Sequence, residues 1–161
     1  MLDVRFPTAL QIMLSLTLHE HDAERLSSAD LAEGIGSNAS FVRKLLAPLI
    51  EDGLVESTMG RDGGLRIGGR PERITLLDIY RSVTRGKQLW PARDDIPPRC
   101  IVSRNVGALF ARITDDVDAV VAERLGKETL ASCFAELAPL EAAAHRATPS
   151  KGFERRRLAR K

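Results

Sequence analysis

The sequence predicts a mainly α fold in which helices surround one two-stranded β-hairpin and a long helix follows near the C-terminal end. Three observations predict it. Apolar residues recur at three-and-four spacing over most of the chain. The period falls to two only at Leu54–Thr58 and at Leu65–Ile67. Between those runs, Gly60-Arg61-Asp62-Gly63-Gly64 supplies the glycines a hairpin tip needs for positive φ.

Pro7 suits a first helical turn, and Leu10, Met13, Leu14, Leu16 and Leu18 then predict a mostly buried helix over about 7–20. Ser27 stands three residues before Asp30, the spacing of a capping box, and opens a short helix carrying Leu31, Ala32 and Ile35. Gly34 and Gly36 stop it. Ser37 and Asn38 are the next N-cap candidates, ahead of Phe41, Val42, Leu45, Leu46, Leu49 and Ile50. Pro48 falls inside this third helix, where it lacks a backbone donor, and a kink or looser turn is expected there. After the hairpin, Thr75 caps a fourth helix (Leu76, Leu77, Ile79, Val83) that stops near Gly86. Residues 86–98 contain Pro91, Pro97 and Pro98 and read as a linker. A long amphipathic helix is predicted from Arg104 to Leu125, striped by Val106, Leu109, Phe110, Ile113, Val117, Val120 and Val121. A last short helix is predicted over Glu128–Leu137, and from Thr148 the composition is that of a disordered tail.

Composition narrows the function. The 161 residues are 43% apolar, enough for a packed core, and only 4% aromatic, which argues against a base-stacking platform for single strands. The formal net charge of +2 conceals a distribution: the last eleven residues carry +5, and residues 1–150 carry −3. A uniformly basic surface is excluded. Two cysteines, Cys100 and Cys133, cannot build a disulfide framework, and no Cys/His cluster has metal-site spacing. Neither a membrane-spanning run nor a secretory signal is evident, so a cytoplasmic protein is expected. No nucleophile–base pair stands out. The glycine tip is not a phosphate loop of the Walker type, because no Gly-Lys-Ser/Thr follows it. No catalytic residue or metal ligand is assigned.

Helix, short helix, tight turn, helix and glycine-tipped hairpin is the order of a winged helix–turn–helix with a two-stranded β-wing. A major groove about 12 Å wide admits one helix, held by a short supporting helix. The outer face of the third helix shows Ser40, Arg43, Lys44 and Ala47. Arg43 or Lys44 could donate to guanine, and Asn38 or Ser40 could reach a phosphate or a base edge. Arg61 at the wing tip suits a phosphate or the minor groove. Arg66 either joins it or faces water from a strand. Thr8 and Ser28, near helix starts, either donate to phosphates or serve only as caps.

The stretches Ser37-Asn-Ala-Ser-Phe-Val-Arg-Lys-Leu-Leu, Asp52-Gly-Leu-Val-Glu-Ser, Gly60-Arg-Asp-Gly-Gly-Leu-Arg-Ile and Ile74-Thr-Leu-Leu-Asp-Ile-Tyr-Arg-Ser-Val resemble the Rrf2 family. These are bacterial winged-helix regulators, IscR- and NsrR-like, and the resemblance covers about 1–135. It implies a homodimer held by the long helix 104–125, repression of promoters, and palindromic sites on double-stranded DNA. Cluster-binding members carry three cysteines before the long helix. Here only Cys100 lies there, so no iron–sulfur cluster or other cofactor is expected, and the chain looks closer to the cluster-less, YwnA-like branch.

The expected organisation is a winged helix–turn–helix over 1–86, a linker or sensor loop over 87–103, dimerisation helices over 104–138 and a basic tail over 139–161. Cys100, beside Arg99 and one turn before Arg104, is either an inert thiol or a redox or electrophile sensor. Cys133 shares a helix with Leu130, Phe134 and Leu137 and is expected in the core. Trp90 either clamps the linker or lines a ligand pocket. The tail run Arg155-Arg156-Arg157 adds at most non-specific attraction to DNA. Two function classes remain beside an unsupported enzyme: a DNA-binding regulator, and a winged-helix module that binds only protein.

Overall fold

A computed structural model describes residues 3–20, 25–60, 63–87, 90, 93, 95 and 97–147. Arg61 and residues 148–161 of the expected tail lie outside the described residues, whereas 139–147 belong to the last helix. The elements run α1 (Arg5–Leu18), α2 (Ser28–Gly34), α3 (Ala39–Glu51), β1 (Val55–Thr58), β2 (Gly64–Ile67), α4 (Leu76–Thr84), α5 (Ile101–Gly126) and α6 (Leu130–Ala147).

Local sequence sets most of these boundaries. Ser27 and Asp30 form the expected capping box: the Asp30 amide donates to Ser27 Oγ, and Asp30 Oδ2 accepts from the Ser27 amide at 2.9 Å. Thr75 and Asp78 repeat that arrangement at the start of α4. Arg85, in the left-handed conformation at φ 55°, ends α4. Pro48 does not end the helix: α3 runs on to Glu51, and the Pro48 carbonyl accepts the Asp52 amide at 3.0 Å. The carbonyl that Pro48 leaves without a helical donor is that of Lys44, an exposed residue, where water can serve.

The wing is antiparallel, with Val55 opposite Ile67, Glu56 opposite Arg66 and Thr58 opposite Gly64. Leu26 adds a short third rung, because the Leu65 amide donates to its carbonyl at 2.9 Å. Gly64 makes this approach possible: at φ 154°, a Cβ on it would stand 2.6 Å from Arg25 Cβ.

One core joins α1, α3, α4 and the wing through Ile12, Met13, Val42, Leu49, Val55 and Ile79, all essentially buried. Each such side chain contributes about 1.5–3 kcal/mol by leaving water. The turn from α5 into α6 is stitched to this body. The Leu76 amide donates to the Glu128 carbonyl at 3.0 Å, the Leu130 amide donates to the Ile74 carbonyl at 2.8 Å, and Leu130 is fully buried. Cys133 follows it against the core, as its helical position implied, and burial pushes its thiol pKa up.

Three boundaries differ from those the sequence suggested. The first helix is Arg5–Leu18 rather than about 7–20. The long helix begins at Ile101, not Arg104, because Cys100 and Ser103 close a capping box. The last helix continues past Leu137 and through Pro139 to Ala147, over a segment rich in Ala, Leu and Glu.

Candidate nucleic-acid interface

The third helix divides as its sequence pattern implies. Val42, Leu45, Leu46 and Leu49 are buried, and Ser40, Arg43, Lys44 and Ala47 are exposed. Arg43 and Lys44 make no side-chain ion pair or hydrogen bond among the described residues, so both cations are available to a ligand. At the helix start, Asn38 Oδ1 accepts the Ser40 amide at 2.8 Å and the Phe41 amide at 3.4 Å. Its oxygen is therefore committed to the cap, and its amide nitrogen remains to donate outward.

The outer face of α3 forms one wall of a cleft of about 490 Å3. Ser27 and Ser28, at the start of α2, form a second wall, and Ser57, Gly63 and Gly64 of the wing form the third. Arg43 and Ala47 project into this cleft, so residues far apart in sequence meet at one groove. Such a groove has the parts of a duplex-binding surface: a helix face bearing exposed cations, a helix start with its Ser27–Asp30 capping box, and a flanking hairpin.

The remaining candidates fall elsewhere. Arg66 lies on β2 with its guanidinium paired to Glu56, Nε to carboxylate at 2.7 Å. Thr8 sits on the first turn of α1, where its hydroxyl donates to the Val4 carbonyl at 2.7 Å, and it is not among the cleft residues. Arg61 lies outside the described residues. Sequence reasoning passed over Arg25. Its Nη1 donates to Thr58 Oγ1 at 2.8 Å and braces the wing against the segment before α2. No local pattern signals this, because it depends on the pairing of Leu26 with Leu65.

Cys100 is exposed at the N-cap of α5. The Ser103 amide first, then the Ser103 hydroxyl and the Val102 amide, favour the thiolate as donors and hold its pKa below the ordinary thiol value. The cause is this ring of donors, not the flanking Arg99 and Arg104. Trp90 is half exposed.

Residues 2–136 match the family Rrf2, described as an iron-dependent transcriptional regulator. The chain belongs to the Rrf2 family. It is 22% identical to YwnA of Bacillus subtilis (strain 168) over 130 residues, 81% of this chain and 94% of that protein. The structure of CymR, the global cysteine regulator of B. subtilis, superposes with a TM-score of 0.58 at 26% identity, covering 84% of this chain and 97% of that one. A crystal structure from Lactobacillus plantarum superposes with a TM-score of 0.70 at 18% identity, over 90% of this chain and 99% of that one, and shows the fold. The chain is thus an Rrf2-family transcriptional regulator with a DNA-binding winged helix, and its relatives are regulators rather than enzymes. No helix among the described residues is long and apolar enough to cross a membrane.

Proposed function

We propose that this Rrf2 regulator is a cytoplasmic homodimeric repressor that places α3 in the major groove of a palindromic operator. The observation that carries the reading is the cleft where Arg43 of α3, Ser28 of α2 and the base of the wing meet. Arg43 and Lys44 read or grip the duplex from the helix face, Asn38 and Ser40 act at its start, and Arg61 extends the contact from the wing tip. Ser28 presents its helix start to a phosphate.

Dimerisation is supported by α5. Ile101, Val102, Leu109, Ile113 and Val120 are large apolar residues left exposed along one long helix of a single chain. Apolar surface repeated in this way marks a contact between proteins, and a second copy of the same helix is the simplest complement.

The cysteines do not fit an iron–sulfur cluster. The chain has two, one exposed at the start of α5 and one packed against the core from α6, whereas a cluster is ordinarily held by about four protein ligands. We therefore assign the chain no cluster and give the signal to Cys100, whose activated thiol stands at the junction of linker and α5. Reconstitution with iron and sulfide under anaerobic conditions should give no cluster absorption.

Selection from random double-stranded DNA with the full chain tests the main reading. The expected product is a palindrome with half-sites one turn, about 34–36 Å, apart. Enrichment of no sequence, or of a single asymmetric half-site by a monomer, would overturn it.

A further inference from the structure

A second cleft of about 510 Å3 lies on the other side of α3, bounded by the helix end, the entry to β1 and one face of α4. Its size is within the range of small-molecule sites, about 300–1,000 Å3. Asp52, Leu54, Asp78, Arg81, Ser82 and Arg85 line it.

Two of these groups are unfinished. Ser82 is 98% buried, and its Oγ has no hydrogen-bond partner. A buried hydroxyl without a partner is costly to leave so, and Ser82 is one of the residues that line the cleft. The Arg81 guanidinium makes no ion pair or hydrogen bond among the described residues. Its neighbour Arg85 is by contrast committed, to Glu51 and, at 3.6 Å, to Asp52. Asp78 spends Oδ2 on the α4 cap, where it accepts from the Thr75 amide and hydroxyl.

The charge pattern selects the ligand. A simple anion would find Arg81 but would also face Asp52, Asp78 and the nearby Glu51. A simple cation would face both arginines. A small molecule carrying both signs meets neither repulsion. The geometry points to a binding site for a free α-amino acid. Its carboxylate pairs with Arg81, its ammonium faces Asp78 and Asp52, its side chain rests on Leu54, and one of its polar groups completes the Ser82 hydroxyl. This inference does not depend on how the chain binds DNA.

The test is a thermal-shift screen of the full-length protein against the common α-amino acids at millimolar concentration, followed by calorimetry of any that bind. We expect at least one to raise Tm, and its N-acetyl and carboxamide derivatives to fail. Arg81→Gln should weaken that binding by about ten- to a hundred-fold, the loss expected of a charge-assisted hydrogen bond, with the Tm of the free protein kept. Ser82→Ala should leave the free protein at least as stable and weaken binding several-fold. The proposal is overturned if no amino acid binds, if acetate or inorganic phosphate binds as well as the amino acid, or if Arg81→Gln and Ser82→Ala bind as the parent does.

Discussion

Glu56 and Arg66 face each other across the wing, and Arg66 Nε donates to the Glu56 carboxylate at 2.7 Å. Both side chains are about half exposed, 53% for Arg66 and 48% for Glu56, so the pair contributes no more than about 1 kcal/mol to stability. Its larger effect is on charge. As long as Glu56 neutralises it, Arg66 adds little to the attraction of the wing for a phosphate. Glu56→Gln should leave Tm almost unchanged and tighten DNA binding, with a steeper fall in affinity as salt rises. Anisotropy titrations at several salt concentrations measure this. An unchanged salt slope would remove Arg66 from the interface.

Asn38 has two roles that one pair of variants separates. Its oxygen caps α3, and its amide nitrogen remains to face a ligand. Asn38→Ala should cost about 1 kcal/mol of stability, within the usual 0.5–2 for a lost cap. Asn38→Asp keeps the capping oxygen but replaces the donor with negative charge. It should retain Tm and lose DNA affinity. If Asn38→Asp binds DNA as the parent does, the residue is a cap and nothing more.

Gly64 allows the strand-like contact between Leu26 and the wing. Alanine there combines a left-handed φ of 154° with a Cβ placed 2.6 Å from Arg25 Cβ. Gly64→Ala should destabilise the fold by about 1–3 kcal/mol, visible in urea unfolding, and should also weaken DNA binding by displacing the wing. Gly69→Ala is the control, since a Cβ there meets nothing within 4 Å.

What was legible in the sequence was local. The Ser27–Asp30 and Thr75–Asp78 boxes, the buried stripe of α3 and the period of the wing all rest on residues a few positions apart, and the structure contains them. The start of α5 was misplaced because its cap is a cysteine, a residue outside the usual Ser, Thr, Asp and Asn set. The length of α6 was underestimated because Pro139 reads as a breaker. The contacts of Leu26 with Leu65, Thr75 with Thr129 and Arg25 with Thr58 join distant segments, and no periodicity encodes them. For the same reason the sequence named Arg43 and Ser28 separately, and only the fold set them in one cleft with the base of the wing.

Cys100 should react as a thiolate at a lower pH than an ordinary cysteine. The Ser103 and Val102 amides and the Ser103 hydroxyl stabilise its charged form. In a Cys133→Ser background, alkylation of the folded protein should therefore titrate at lower pH than alkylation of the same chain in urea. Ser103→Ala removes the hydroxyl but keeps the amide, so it should move the curve only part of the way back. The sign for stability follows: a depressed folded pKa favours folding above the unfolded thiol value, and that advantage is lost as pH falls through the folded value. Coincident folded and unfolded titration curves would make Cys100 an ordinary exposed thiol and remove it as a sensor.

Arg43 is the residue on which the DNA reading depends most. It is exposed, carries no ion pair among the described residues, and projects from α3 into the cleft shared with α2 and the wing. Arg43→Ala should change stability by no more than about 0.5 kcal/mol, because it leaves no buried group unpaired. Its effect on DNA distinguishes two kinds of contact. If the guanidinium grips a guanine edge, affinity for the selected site falls by about 1–3 kcal/mol, discrimination at one base pair is lost, and the salt slope changes little. If it grips a phosphate, affinity falls equally for specific and random DNA, and the slope drops by about one. Its position on the exposed face of α3 beside the small Ala47 favours the base contact, since a small neighbour lets the helix sit deep in the groove. Anisotropy with specific and scrambled duplexes across a salt series separates these outcomes, and parent-like affinity for both duplexes would take α3 out of the groove.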